Sequence, residues 1–87
     1  MAELSLLDTV ETLKPIPFDR LSLVEPDYKS IDNLPVGQVG TIVEIYVGES
    51  PSYLIEFSDS KGREYAMAVL KTDELLSIRY ELSAMIS

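Results

Sequence analysis

Three alternating apolar and polar segments, joined by short runs of turn residues, constrain this chain more than any other feature. Val39, Thr41, Val43, Ile45 and Val47 fall on one side of a period-two pattern, with Ile42, Glu44 and Tyr46 on the other. Gly48 to Ser52 supplies a turn. Tyr53 to Ser58 follows as a second alternation, with Tyr53, Ile55 and Phe57 sharing a face. Asp59-Ser60-Lys61-Gly62 predicts a tight hairpin loop in which Gly62 takes positive φ. Arg63 to Leu70 then alternates again, Tyr65, Met67 and Val69 against Ala66, Ala68 and Leu70. Three strands joined by hairpins are the backbone of whatever forms here.

The flanks add shorter elements. Pro17 and Pro26 bracket Phe18, Leu21, Leu23 and Val24, which predict an opening strand. Glu25 to Leu34 is polar and reads as a loop of about ten residues. Thr72 is positioned to cap one helical turn through Asp73, Glu74 and Leu75, and Leu76 to Tyr80 predicts a fifth strand. Residues 2–13 carry Leu6, Leu7, Val10 and Leu13 at helical spacing, with Pro15 as the stop, and predict a short amphipathic helix. The expected organisation is an N-terminal helix over 1–14, a domain over 15–80 and a tail over 81–87. The expected fold is mostly β: a small SH3-like five-stranded barrel with that helix on or beside it, or an open β-meander covered by the helix. Leu21, Leu23, Val39, Ile42, Val43, Ile55, Phe57, Tyr65, Met67, Val69 and Leu75 are its expected core.

Composition narrows function. The 87 residues contain no cysteine and no histidine. That removes disulfides, thiolate catalysis, the commonest general base and nearly all zinc sites. The expectation is a non-catalytic protein, with no catalytic residues, no cofactor and no metal. Fifteen acidic residues against seven basic ones give a formal charge of −8. The seven cations are scattered, so neither nucleic acid nor an anionic membrane surface is an expected partner. No apolar run approaches the roughly 20 residues of a membrane helix, and the acidic N-terminus lacks the pattern of a signal peptide, so a cytoplasmic location is expected.

Each candidate site has a structural alternative. Gly37-x-x-Gly40 before a strand resembles a turn of small RNA-binding barrels, but with this charge it reads as a tight turn feeding a strand. Asp27 and Asp32, with Glu25 nearby, are oxygen ligands for a hard cation in principle, yet the spacing fits no EF-hand and a solvated loop explains them. Asp59 with Asp73 or Glu74 would make a carboxylate pair only if the fold joined them. Tyr53 and Tyr65 share faces with core residues, whereas Tyr28 and Tyr46 are candidates for an exposed aromatic groove. Leu82, Met85 and Ile86 form an apolar tail that calls for something to dock on. Asp27, Tyr28, Tyr46, Leu82, Met85 and Ile86 are therefore the expected interaction residues.

Leu34-Pro35-Val36-Gly37-Gln38-Val39-Gly40-Thr41-Ile42-Val43-Glu44 also carries a resemblance. With Phe18-Asp19-Arg20-Leu21-Ser22-Leu23, Tyr53 to Asp59, Gly62 to Ala66, Leu70-Lys71 and Leu75-Leu76, it is similar to a family of short stand-alone bacterial proteins catalogued as the domain of unknown function numbered 4926. The similarity covers roughly residues 17–78. It implies a small β-barrel-like domain and no activity. The functional expectation is a protein-interaction or accessory module, working with a protein partner or as a homodimer. The alternatives are an acidic neutralising partner of a basic protein, of antitoxin or immunity type, and a small subunit of an enzyme complex.

Overall fold

The computed structural model describes residues 4–24 and 33–78. Its strands are β1 (Thr9–Thr12), β2 (Ile16–Pro17), β3 (Leu21–Leu23), β4 (Asn33–Leu34), β5 (Val39–Tyr46), β6 (Ser52–Ser58), β7 (Glu64–Lys71) and β8 (Leu75–Ile78). Single 3-10 turns at Phe18–Arg20 and Thr72–Glu74 lead into β3 and β8. Six strands form one antiparallel sheet in the order β3-β7-β6-β5-β1-β8, and β2 pairs with β4 apart from it. The protein is mostly β, as expected. The sheet is open rather than a closed barrel: β3 and β8 are its two edges among the described residues.

The hairpins stand where the alternation put them. Asp59 organises the β6–β7 loop: its N–H donates to the Arg63 carbonyl (2.8 Å), and its Oδ1 accepts from Lys61 and Arg63 N–H (both 2.9 Å). Gly62 closes the loop at φ +79°. Ile55 and Phe57 are fully buried, with Tyr53, Tyr65, Ile42 and Leu75 in the same core.

The N-terminal helix expected over residues 2–13 is not there. Residues 9–12 are instead β1, and they lie inside the sheet, paired with β5 through Val10↔Gly40 and with β8 through Val10↔Ser77. Val10 and Thr12 are fully buried, while Leu6, Leu7 and Leu13 of the supposed helical face are exposed. Leu7 has φ +70°, incompatible with a right-handed helix. A three-turn helix is marginal alone, whereas Thr9, Val10 and Thr12 are β-branched and gain hydrogen bonds on both sides in the sheet.

Thr12 shows why β1 is held there. Its hydroxyl donates to the Pro35 carbonyl (2.9 Å) and accepts from Gln38 N–H (3.0 Å). Its own N–H donates to the Gln38 carbonyl, and its carbonyl accepts from Gly37 N–H (both 2.9 Å). A buried threonine thus satisfies every polar group it brings and fixes the turn in which Gly37 sits at φ +88°.

Further expectations change. Phe18 belongs to a 3-10 turn, so the opening strand shrinks to β3, an edge strand on β7. Thr72 does not cap the second 3-10 turn; Glu74 Oε1 accepts from Lys71 N–H (2.9 Å) and does so instead. On β7 the inward face is Ala66, Ala68 and Leu70, leaving Met67 partly exposed and Val69 exposed. The cause lies across the ladder: Ala66 pairs with Phe57 and Ala68 with Ile55, so small side chains sit beside the bulkiest inward ones. Val39 is exposed, Val43 partly so, and a bulge between Ile42 and Glu44 breaks the β5 alternation. Leu21 and Leu23 are partly buried against the core, and β8 starts at Leu75, with Arg79 and Tyr80 of the expected fifth strand outside the described residues.

Candidate functional site

The acids of the hairpins form no shared centre. Asp59 binds its own loop and Arg63 (Nε to Oδ2, 3.1 Å), which holds its carboxyl below the usual carboxylate range. Asp73 faces Lys14 at 3.3 Å. Glu74 takes both arms of Arg20, Nη1 to Oε2 at 2.7 Å and Nη2 to Oε1 at 2.9 Å. Hydrogen bonding from Arg20 works against partial desolvation, and with Lys71 N–H it pushes the Glu74 carboxyl down to about 2. Arg20 also donates to the Val69 carbonyl (3.1 Å). Arg20 precedes edge strand β3 and Glu74 precedes edge strand β8, so this pair laces together the two edges of the sheet. Its role is structural.

The carboxylate pair that does exist is one the sequence reading missed. Glu64 lies beside Glu56 across β6 and β7, and contact with the Glu56 carboxyl, then desolvation, raises the Glu64 carboxyl above its ordinary range. A bulge between Phe57 and Ser58 creates the contact by pairing Ser58 with Glu64 while Glu56 stays opposite Met67. With both groups ionised neither has a proton to share, and Glu64 Oε2 is buried without a donor. The signal was present in the outward positions of the two alternations, but only the bulge sets the diagonal.

The same outer face continues over β5, β1 and β8. Thr41 pairs with Glu56 and Thr9, and Thr9 with Ile78. One step along, Glu11 lies between Val39 and Leu76. Val39 and Leu76 are each 49 % exposed, and Leu13 and Val36 are exposed at the same end. The Glu11 carboxylate overhangs the Val36-Gly37 turn, 3.9 Å from where a Cβ on Gly37 would stand, and has no ion pair among the described residues.

Of the expected interaction residues, only Tyr46 lies within the described residues. It is exposed at the end of β5, in the row of Ser52 and Lys71 and away from Glu11. Asp27, Tyr28, Leu82, Met85 and Ile86 lie outside the described residues, as do Glu25 and Asp32. The Gly37-x-x-Gly40 pair is a turn feeding a strand. Among the described residues, no cluster of three or more acids could hold a metal ion, and no helix is long and apolar enough to cross a membrane.

No curated protein and no solved structure matches the chain. One family does, over residues 6–77, a span that starts before β1 and reaches into β8, the last strand of the sheet. With most of its length matched, the chain belongs to the family described as Domain of unknown function (DUF4926).

Proposed function

We propose that this protein is a non-catalytic protein-interaction module that docks through the outer face of β8, β1 and β5. The observation that carries the reading is the group of exposed apolar side chains, Val39, Leu76, Leu13 and Val36, around Glu11. Contiguous apolar side chains on a small domain mark contact surfaces more often than scattered single ones do. A charge within an apolar ring supplies orientation as well as area. The lack of histidine and cysteine supports a binding role over catalysis.

The fold is read as SH3-like. What supports this is the strand order β7-β6-β5-β1-β8 with a 3-10 turn before the last strand, the sheet being curled so that Arg20 and Glu74 meet across its edges. In that reading Thr12 and the Pro35–Gln38 turn anchor the long connection between β1 and β5.

The test is affinity capture from the native cell with the wild type and with a Val39→Ser/Leu76→Ser double variant. Both positions are exposed, so folding should be retained. The variant is expected to lose a protein that the wild type retains. Recovery of the same proteins in the same amounts by both contradicts the reading.

A further inference from the structure

Resting on that reading of the face, we infer that its partner is a basic polypeptide segment. Its lysine or arginine side chains seat over Glu11, Glu56 and Glu64, and its apolar side chains over Val39 and Leu76.

The register defines the surface. One row runs Ile78, Thr9, Thr41, Glu56, Met67, Ser22 across the sheet. The next holds Leu76, Glu11 and Val39, and on the far side Ser58 with Glu64. Neither row contains a lysine or an arginine. Arg63, next to Glu64 in sequence, is engaged with Asp59, and Lys71, farther along β7, with the Ser50 carbonyl (3.0 Å) and Ser52 Oγ (2.7 Å). Three carboxylates therefore share this face, and none of them has an ion pair among the described residues.

Glu64 adds a more specific demand. With both acids ionised its Oε2 is covered without a hydrogen-bond donor, whereas the protonated form shares a hydrogen bond with Glu56, so a partner that supplies donors favours the ionised pair. An ammonium or guanidinium group supplies donors and charge together, and relieves the repulsion between Glu56 and Glu64. Val39 and Leu76 give the partner's apolar side chains somewhere to rest beside these acids.

The same charges select against other occupants. A second copy docked through this face would set Glu11, Glu56 and Glu64 against their own counterparts, on molecules that each carry −8. Phosphate-bearing partners meet the same repulsion. A basic chain is attracted, and more so at low salt.

The test uses the full chain, labelled with nitrogen-15, and three capped decapeptides of alternating Lys-Leu, Ser-Leu and Glu-Leu. Amide shifts are followed by NMR. The Lys-Leu peptide is expected to shift the amides of Glu11, Val39, Glu56 and Glu64, and to bind about tenfold or more tightly than the other two. Raising salt from about 0.05 to 0.3 M should weaken it severalfold. A Glu56→Gln/Glu64→Gln variant should weaken it about tenfold, and Glu11→Gln on the adjacent row gives an independent check if that variant is unstable. Binding should also tighten as pH rises through the elevated titration of Glu64, because docking favours the ionised form.

Equal binding of the Ser-Leu peptide overturns the basic partner and leaves the docking face standing. Lys-Leu binding elsewhere on the chain, or unchanged in the glutamine variants, also overturns it. So does no binding of any peptide while the Val39→Ser/Leu76→Ser variant still loses its captured protein. A concentration-dependent dimer abolished by Leu76→Ser would make a second copy the occupant and overturn it as well. Failure of the docking face itself is read separately, from unchanged capture by the serine variant.

Discussion

Gly40→Ala is expected to destabilise the protein by about 3 kcal/mol or more, a loss out of proportion to one added methyl group. Gly40 sits in the middle of the sheet, paired with Val10 on one side and Phe57 on the other. A Cβ there would stand 2.6 Å from Ile55 Cγ2, 2.9 Å from the Glu56 carbonyl oxygen and 3.0 Å from Phe57 Cδ1. Ile55 and Phe57 are fully buried and have no free space to retreat into, and the carbonyl oxygen belongs to the neighbouring strand. The methyl group must therefore part β5 from β6 or expel a core side chain. Domains of this size have roughly 4–13 kcal/mol of total stability, so the change takes a large share. Gly37→Ala makes a useful contrast. There the nearest neighbour, Glu11 Oε1, would be at an ordinary 3.9 Å, and the cost arises from φ +88°, about 1 kcal/mol. Urea midpoints of both variants check this, and a Gly40→Ala midpoint equal to the wild type would contradict it.

The second large effect belongs to Glu74. Its carboxyl titrates at about 2 in the folded protein against an ordinary 4.5. A depressed folded value means that the stabilisation is fully present above the ordinary value, and is lost as pH falls from about 4.5 through about 2. The size is on the order of 2–3 kcal/mol. Solvent at the 39 % exposed Arg20 side chain favours the lower figure, while Glu74 itself is only 11 % exposed. Glu74→Gln should cost this amount at pH 7 and cost progressively less between pH 4.5 and 2, because the wild type loses the interaction there by itself. Asp59, lowered, and Glu64, raised, titrate in both proteins and cancel in the difference between them. Denaturant titrations across that range check the prediction. A cost independent of pH would show that Glu74 acts through packing rather than charge.

What could be read from the sequence follows from how its signals compete. β5, β6 and β7 are legible because each alternates for seven or eight residues between strong turn signals, and Ile55, Phe57 and Tyr65 are core as expected. β1 is not. Its four residues are too few for a period-two pattern to outweigh Leu6, Leu7, Val10 and Leu13, which imitate a helical face. Only pairing with β5 and β8, elements distant in sequence, makes it a strand. The inward face of β7 was ambiguous because both faces are apolar, and the bulk of Phe57 and Ile55 opposite decides it. The candidate face was hidden for a related reason. Glu11, Val39 and Leu76 come together only once β1 lies between β5 and β8, and Glu56 meets Glu64 only through a bulge. Of the sites favoured from sequence, Tyr46 is exposed on the same side of the sheet, but at the opposite end of β5 from Val39 and Glu11.

Site-specific photo-crosslinking in the native cell tests the docking face most directly. A photoreactive residue placed at position 76 lies on the face, while one at position 47 lies beyond the end of β5 at a site 92 % exposed in the wild type. Crosslinking from position 76 to a discrete protein, with none from position 47, is the predicted result. Equal crosslinking from both positions, or crosslinking from position 47 alone, would contradict a docking surface centred on Glu11.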